Sequence, residues 1–136
     1  MGEKEKNVFV IDDDSDLSEL IHYNLKKEGY NTFTLQNGLQ TIWELSKQNR
    51  PDCILLDIMM PSPDGFEICD FLKSSEDYRE IPIILVSAKG SPEDIEKGLD
   101  LGADAFLPKP FSIDTLIKMV KRFASHRSGE IRFPCE

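Results

Sequence analysis

Five short apolar runs, each followed by a segment whose apolar residues recur at helical spacing, constrain this chain more than any other feature. The runs are Val8–Ile11, Tyr30–Leu35, Cys53–Leu56, Ile83–Val86 and Ala105–Leu107. Three of them are almost continuously hydrophobic, as strands are when a parallel sheet is covered on both faces. The second is mixed, which suits a sheet edge. The intervening segments carry start and stop signals for helices. Asp14 or Ser15 can cap a helix bearing Leu17, Leu20, Ile21 and Leu25, which Gly29 ends. Asn37 opens one with Leu39, Ile42, Trp43 and Leu45, and Asp64 one with Phe66, Cys69 and Leu72. Ser91 precedes Pro92 at the first helical position of a helix with Ile95 and Leu99, which stops at Gly102. Ser112 opens the last, with Ile113, Leu116, Ile117, Val120 and Phe123. Strand and helix thus alternate five times, which predicts an α/β fold with an open parallel five-stranded sheet and helices on both faces. Right-handed crossovers leave few topologies, and the flavodoxin-like order 2-1-3-4-5 is one of the two common ones.

A chain of 136 residues is one domain in length, and can bury about two-thirds of its unfolded surface without metal or disulfide staples. Its formal charge of −9 repels phosphate backbones, so direct nucleic-acid binding is not expected. The three cysteines, Cys53, Cys69 and Cys135, have no paired or metal-ligand spacing and read as structural thiols of a reducing compartment. The start, MGEKEKN, lacks an apolar signal-peptide core, and Lys6 stands where a myristoylation signal needs Ser or Thr. No apolar run approaches about 18 residues. These features predict a cytoplasmic protein with no membrane association.

In open α/β sheets, ligands sit beyond the carboxyl ends of the strands. The first strand ends in Asp12-Asp13-Asp14, the third in Asp57, the fourth in Ser87, and the fifth leads through Pro108 to Lys109. With strand one between strands two and three, these ends converge on one rim. Carboxylates within about 4 Å repel by roughly 4 kcal/mol per pair at an effective dielectric near 20. A hard divalent cation offsets that repulsion. Magnesium fits best, since it takes one or two carboxylates and leaves positions for waters and phosphate oxygens; manganese is the alternative. The hydroxyl and the ammonium then become donors to those oxygens. Such a rim suits a carboxylate that receives a phosphoryl group.

These residues resemble the receiver domains of two-component response regulators, chemotaxis receivers among them, over about residues 6 to 124. VFVIDDD is similar to the family's first strand, LLDIMMPSPDGFE to its phosphoacceptor strand and following loop, ILVSAKG to its hydroxyl strand, and GADAFLPKPF to its aromatic, lysine and proline signature. The resemblance implies sheet order 2-1-3-4-5 and a receiver domain over 7–124, between an N-terminal tail (1–6) and a C-terminal tail or linker stub (125–136). It implies that Asp57 is the phosphoacceptor. Asp13 would ligate magnesium directly and Asp12 through water or as a second ligand, with Asp57 and the Met59 carbonyl completing the protein's ligands. Lys109 would pair with the phosphate, Ser87 would move toward it, and Phe106 would follow by turning inward. The Ala88 amide would approach the phosphate, and Lys109-Pro110 would be a cis peptide bond. Ser stands where Thr is commoner and Phe where Tyr is common, while Met59 and Lys89 occupy positions that tune phosphoryl lifetime.

The implied partners are a sensor histidine kinase or phosphotransfer protein, and a downstream protein or output domain read through the helix 4, strand 5 and helix 5 face. A phosphorylation-dependent homodimer is a further state of that kind. Intrinsic autophosphorylation from small donors and autodephosphorylation would accompany the transfer, without making the chain an enzyme of external substrates. Plainer readings exist for several residues. Asp14 and Asp16 read as helix caps, His22 as solvated or partly packed, and Trp43 as partial core. An EF-hand is excluded because Leu17 and Tyr23 stand where its glycine and bidentate glutamate must be. Two rivals remain: a haloacid-dehalogenase-like phosphatase using Asp12, whose signature can be read in Asp12-Asp13-Asp14-Ser15, and a pseudo-receiver that binds protein without phosphotransfer. The aspartate that is phosphorylated, Asp12 or Asp57, separates the enzyme from the receiver.

Overall fold

The computed structural model describes residues 5–47, 50–88 and 90–126. Ten elements alternate: β1 (Asn7–Ile11), α1 (Ser15–Lys27), β2 (Asn31–Leu35), α2 (Gly38–Ser46), β3 (Cys53–Asp57), α3 (Gly65–Lys73), β4 (Ile83–Ser87), α4 (Pro92–Asp100), β5 (Ala105–Pro108) and α5 (Ile113–Phe123). All strand pairs are parallel, in the order β2-β1-β3-β4-β5. The mixed strand β2 lies at an edge, as its composition implies.

Alternate residues of β1, β3, β4 and β5 feed two cores. Phe9, Ile11, Ile54, Leu56, Ile83, Leu85 and Phe106 pack with Leu45 of α2 and with Ile68, Cys69 and Leu72 of α3. Val8, Val10, Leu55, Ile84, Val86 and Leu107 pack with Ile21 and Leu25 of α1 and with Leu116, Val120 and Phe123 of α5. Continuous apolar runs are required because both faces of the sheet are covered. Cys53 and Cys69 are buried thiols, and burial pushes Cys69 up to about 12, which leaves it inert. Cys135 and Lys89 lie outside the described residues.

Asp14, Asn37, Asp64, Ser91 and Ser112 each cap a helix by accepting from its first-turn amides. Gly29 and Gly102 take positive φ where α1 and α4 end. One reading is corrected. Trp43 is not partial core: it is 64% exposed, and Leu39 of the same helix is 72% exposed. The inward residues of α2 are Gly38, Thr41 and Leu45. A Cβ on Gly38 would lie 2.6 Å from Pro63 Cγ, so only glycine lets α2 sit this close to the β3–α3 loop. That contact sets the helix's rotation and turns Leu39 and Trp43 to solvent. No helix among the described residues is long and apolar enough to cross a membrane.

Candidate functional site

The crossing order places β1 between β2 and β3, so the turn after β1 faces the end of β3. Asp12 is anchored there on both sides. Its amide donates to the Leu35 carbonyl at 3.0 Å, and Ser18 Oγ of α1 donates to its carbonyl at 3.4 Å. Each of its carboxylate oxygens accepts one bond: Oδ1 from the Asp14 amide at 2.9 Å and Oδ2 from Lys109 Nζ at 3.1 Å. Asp14 stays in its capping role, and Asp13 is exposed at the mouth of the rim.

Asp57 is the last residue of β3 and is 4% exposed. Its Oδ1 accepts from the Met59 amide at 3.2 Å and lies 3.8 Å from Lys109 Nζ. Burial, and then the charge of Asp12, pushes its carboxyl up from the ordinary range to about 6, against the opposing pull of Lys109 and the Met59 amide. Carboxylate oxygens of Asp12, Asp13 and Asp57 all lie within 4.8 Å of one another. Two of these acids are buried and one is exposed, a hard-oxygen donor set with an open side. That set fits a divalent cation such as magnesium, with Lys109 offsetting only part of the charge. The Met59 side chain is half exposed at the mouth.

The far side of the rim comes from β4 and β5. Ser87 is fully buried at the end of β4, and its carbonyl accepts from the Lys109 amide at 2.8 Å. Ala88 beyond it is exposed. Lys109-Pro110 is cis. Phe106 is 2% exposed and packs inward against the core below this rim. A phenylalanine ring has no hydroxyl to satisfy in water, so burial is its low-energy state.

Two features escaped the sequence reading. Gly65, read only as part of the loop motif after the third strand, makes a close approach: a Cβ on it would collide with the Asp57 carbonyl and lie 2.5 Å from Ile58 Cα. Leu17 and Leu20, read only as part of the apolar stripe of the first helix, line an apolar groove of about 430 Å³ with Ala88, Pro110, Phe111 and Ile113, beside Lys109. The helical spacing of these leucines was visible in sequence; that another element's loop would face them was not.

The sequence profile described as response regulator receiver domain matches residues 8–121. The receiver domain of the Francisella response regulator 1452 is 32% identical, covering 89% of this chain and 98% of its own, at a TM-score of 0.81. The receiver domain of a signal transduction histidine kinase from Syntrophus aciditrophicus is 33% identical, covering 96% of this chain and 99% of its own, at 0.82. A third, the receiver domain of the sensor histidine kinase PA1611 from Pseudomonas aeruginosa, holds a magnesium ion coordinated in its active-site cleft. It is 25% identical over 90% of this chain and 99% of its own, at 0.79.

Proposed function

Because this chain belongs to the response regulator receiver domain family, we propose that it accepts a phosphoryl group from the phosphohistidine of a sensor kinase or phosphotransfer protein onto Asp57. The observation that carries this reading is the arrangement at Asp57: a buried carboxylate at a strand end, flanked by two more acids and one lysine. A carboxylate oxygen of Asp57 forms the new O–P bond as the donor's N–P bond breaks, and the electron pair returns to the imidazole. Asp12, Asp13, Asp57 and the Met59 carbonyl would hold a magnesium ion, which would supply charge stabilisation for the transferring group. Lys109, held against Asp12 and near Asp57, donates to its oxygens, and its position is steadied by its own amide's bond to Ser87. The Ser87 hydroxyl and the Ala88 amide lie at the same rim and complete the donor set. Asp12 is a poor nucleophile here, since both its oxygens already accept hydrogen bonds; this disfavours the phosphatase reading.

The donor reaches this rim as a protein, and the apolar groove between α1 and the β5–α5 loop is a seat for a helix carrying the phosphohistidine. Modification replaces the single carboxylate charge of Asp57 with an acyl phosphate of about two negative charges and three acceptor oxygens, which engage Lys109 and Ser87 and bias the surface around α4 and β5 toward a downstream partner.

Acetyl-phosphate treatment followed by borohydride trapping and mass spectrometry tests the assignment. Label is expected on Asp57 alone, and Asp57→Asn is expected to take up none. Label on Asp12 would make the chain a phosphatase instead, and a wild-type protein without label would leave the pseudo-receiver.

A further inference from the structure

The reading above requires the state of Asp57 to reach α4, which packs over the buried Phe106 ring. Of the residues of α4, Gly98 alone is buried, while Ile95 and Leu99 are half-buried. The helix therefore rests on few contacts. A Cβ built on Gly98 would lie 2.5 Å from Leu85 Cδ1 and 3.7 Å from both Phe106 Cδ2 and Phe66 Cε1. Two of these neighbours belong to the sheet, and the third, Phe66, belongs to α3. The Lys97 ammonium lies 4.4 Å from the centre of the same Phe66 ring, a cation–π contact that joins α4 to α3 a second time.

Phe66 follows Gly65, and Gly65 is wedged on the phosphoacceptor strand. The place a side chain would take is filled by the Asp57 carbonyl and Ile58 Cα, and the Gly65 amide donates to the Ile58 carbonyl at 3.0 Å. The reciprocal bonds between Asp64 and Glu67 stiffen this first turn of α3. Any shift of the Asp57–Met59 backbone therefore carries Phe66 with it. Modification of Asp57 acts on that backbone directly, because the Met59 amide donates to the carboxylate oxygen Oδ1.

We propose that Phe66 is a positioning residue that carries the state of Asp57 to α4 through Gly98 and Lys97, in parallel with the route through Ser87 and Phe106. This rests on the phosphoacceptor reading, so the test reads the two separately. The full chain is titrated with beryllium fluoride in magnesium; fluorine NMR reports the adduct, and hydrogen exchange reports the α4 amides. Phe66→Leu keeps an apolar side chain and loses the ring, while Lys97→Gln removes the cation–π contact from a side chain that is exposed. Both variants are expected to form the adduct with affinity within about threefold of wild type. The adduct-induced change in α4 exchange is expected to shrink by about threefold or more in Phe66→Leu, and to shrink in Lys97→Gln as well. A merely structural role would raise α4 exchange equally in both states and leave that difference intact. Retention of the full difference in both variants, or no α4 response to the adduct in wild type, overturns the proposal. Should Phe66→Leu not fold, Lys97→Gln decides. If wild type forms no adduct, the phosphoacceptor reading falls first and this proposal with it.

Discussion

Asp57 illustrates what one buried acid does to the molecule around it. Its folded-state carboxyl titrates near 6, above the usual carboxylate range, because burial and Asp12 both disfavour the charge. Between the ordinary value and about 6, the folded state holds a proton that the unfolded state has lost. Stability therefore falls as pH rises through that window. In chelator at pH 7.5, Asp57→Asn is expected to be more stable than wild type, by about 1–3 kcal/mol, with the advantage gone by about pH 4. Added magnesium is expected to reverse the order at pH 7.5, since only wild type keeps the full ligand set. Thermal melts across pH with and without magnesium measure both; a variant less stable than wild type in chelator at pH 7.5 would refute the account. Asp12, Asp57, Ser87 and Lys109 were legible as a group because strand ends are legible. The packing of Gly98 against Leu85 and Phe106 was not, since the approach of α4 to the sheet is a fit between distant segments that no local pattern records.

Helix termini were the most readable elements of the chain. Each of the five caps is a short polar side chain satisfying amides that lie in its own first turn, so the interaction is local and sequence-determined. The cap of α3 is the most elaborate, with Asp64 Oδ1 accepting from the Glu67 amide at 2.9 Å and Glu67 Oε1 from the Asp64 amide at 2.8 Å. Asp64→Ala is expected to cost about 1 kcal/mol, read as a lower urea midpoint with an unchanged m-value. Helix faces were less readable than helix ends. In α2 the apolar positions Leu39, Ile42 and Trp43 all have helical spacing, yet Gly38, Thr41 and Leu45 face inward. Periodicity says that a helix has an apolar stripe; the close fit of Gly38 against Pro63 and Ile68 decides which stripe meets the core.

Across the whole molecule, the acidic rim around Asp57 and the opposite end of the sheet are held by different means. At that opposite end, Lys73 Nζ of α3 donates to the Ile81 carbonyl at 2.8 Å and to Asp104 Oδ2 at 3.1 Å, and Asp104 also accepts from the Ile83 amide at 2.9 Å. Both side chains are buried, so removing one partner strands a charge. Asp104→Ala is expected to destabilise by about 3 kcal/mol in denaturant melts, while labelling of the folded protein by acetyl phosphate stays at the wild-type level. Loss of labelling without loss of stability would contradict this separation of fold from site. Neither Lys73 nor Asp104 drew notice in the sequence, because a buried pair 31 positions apart looks like two ordinary surface charges until the chain is folded. The alternation of strands and helices, the edge character of β2 and the caps follow from the sequence alone, because each is set by residues within a turn or a strand of one another. The rotation of α2, the burial of the Lys73–Asp104 pair, the contact of Gly65 with Asp57 and the seat of α4 on Phe66 exist only in the assembled molecule. Each is a steric or electrostatic fit between segments far apart in the chain, and close packing chooses among arrangements that local propensity leaves equal.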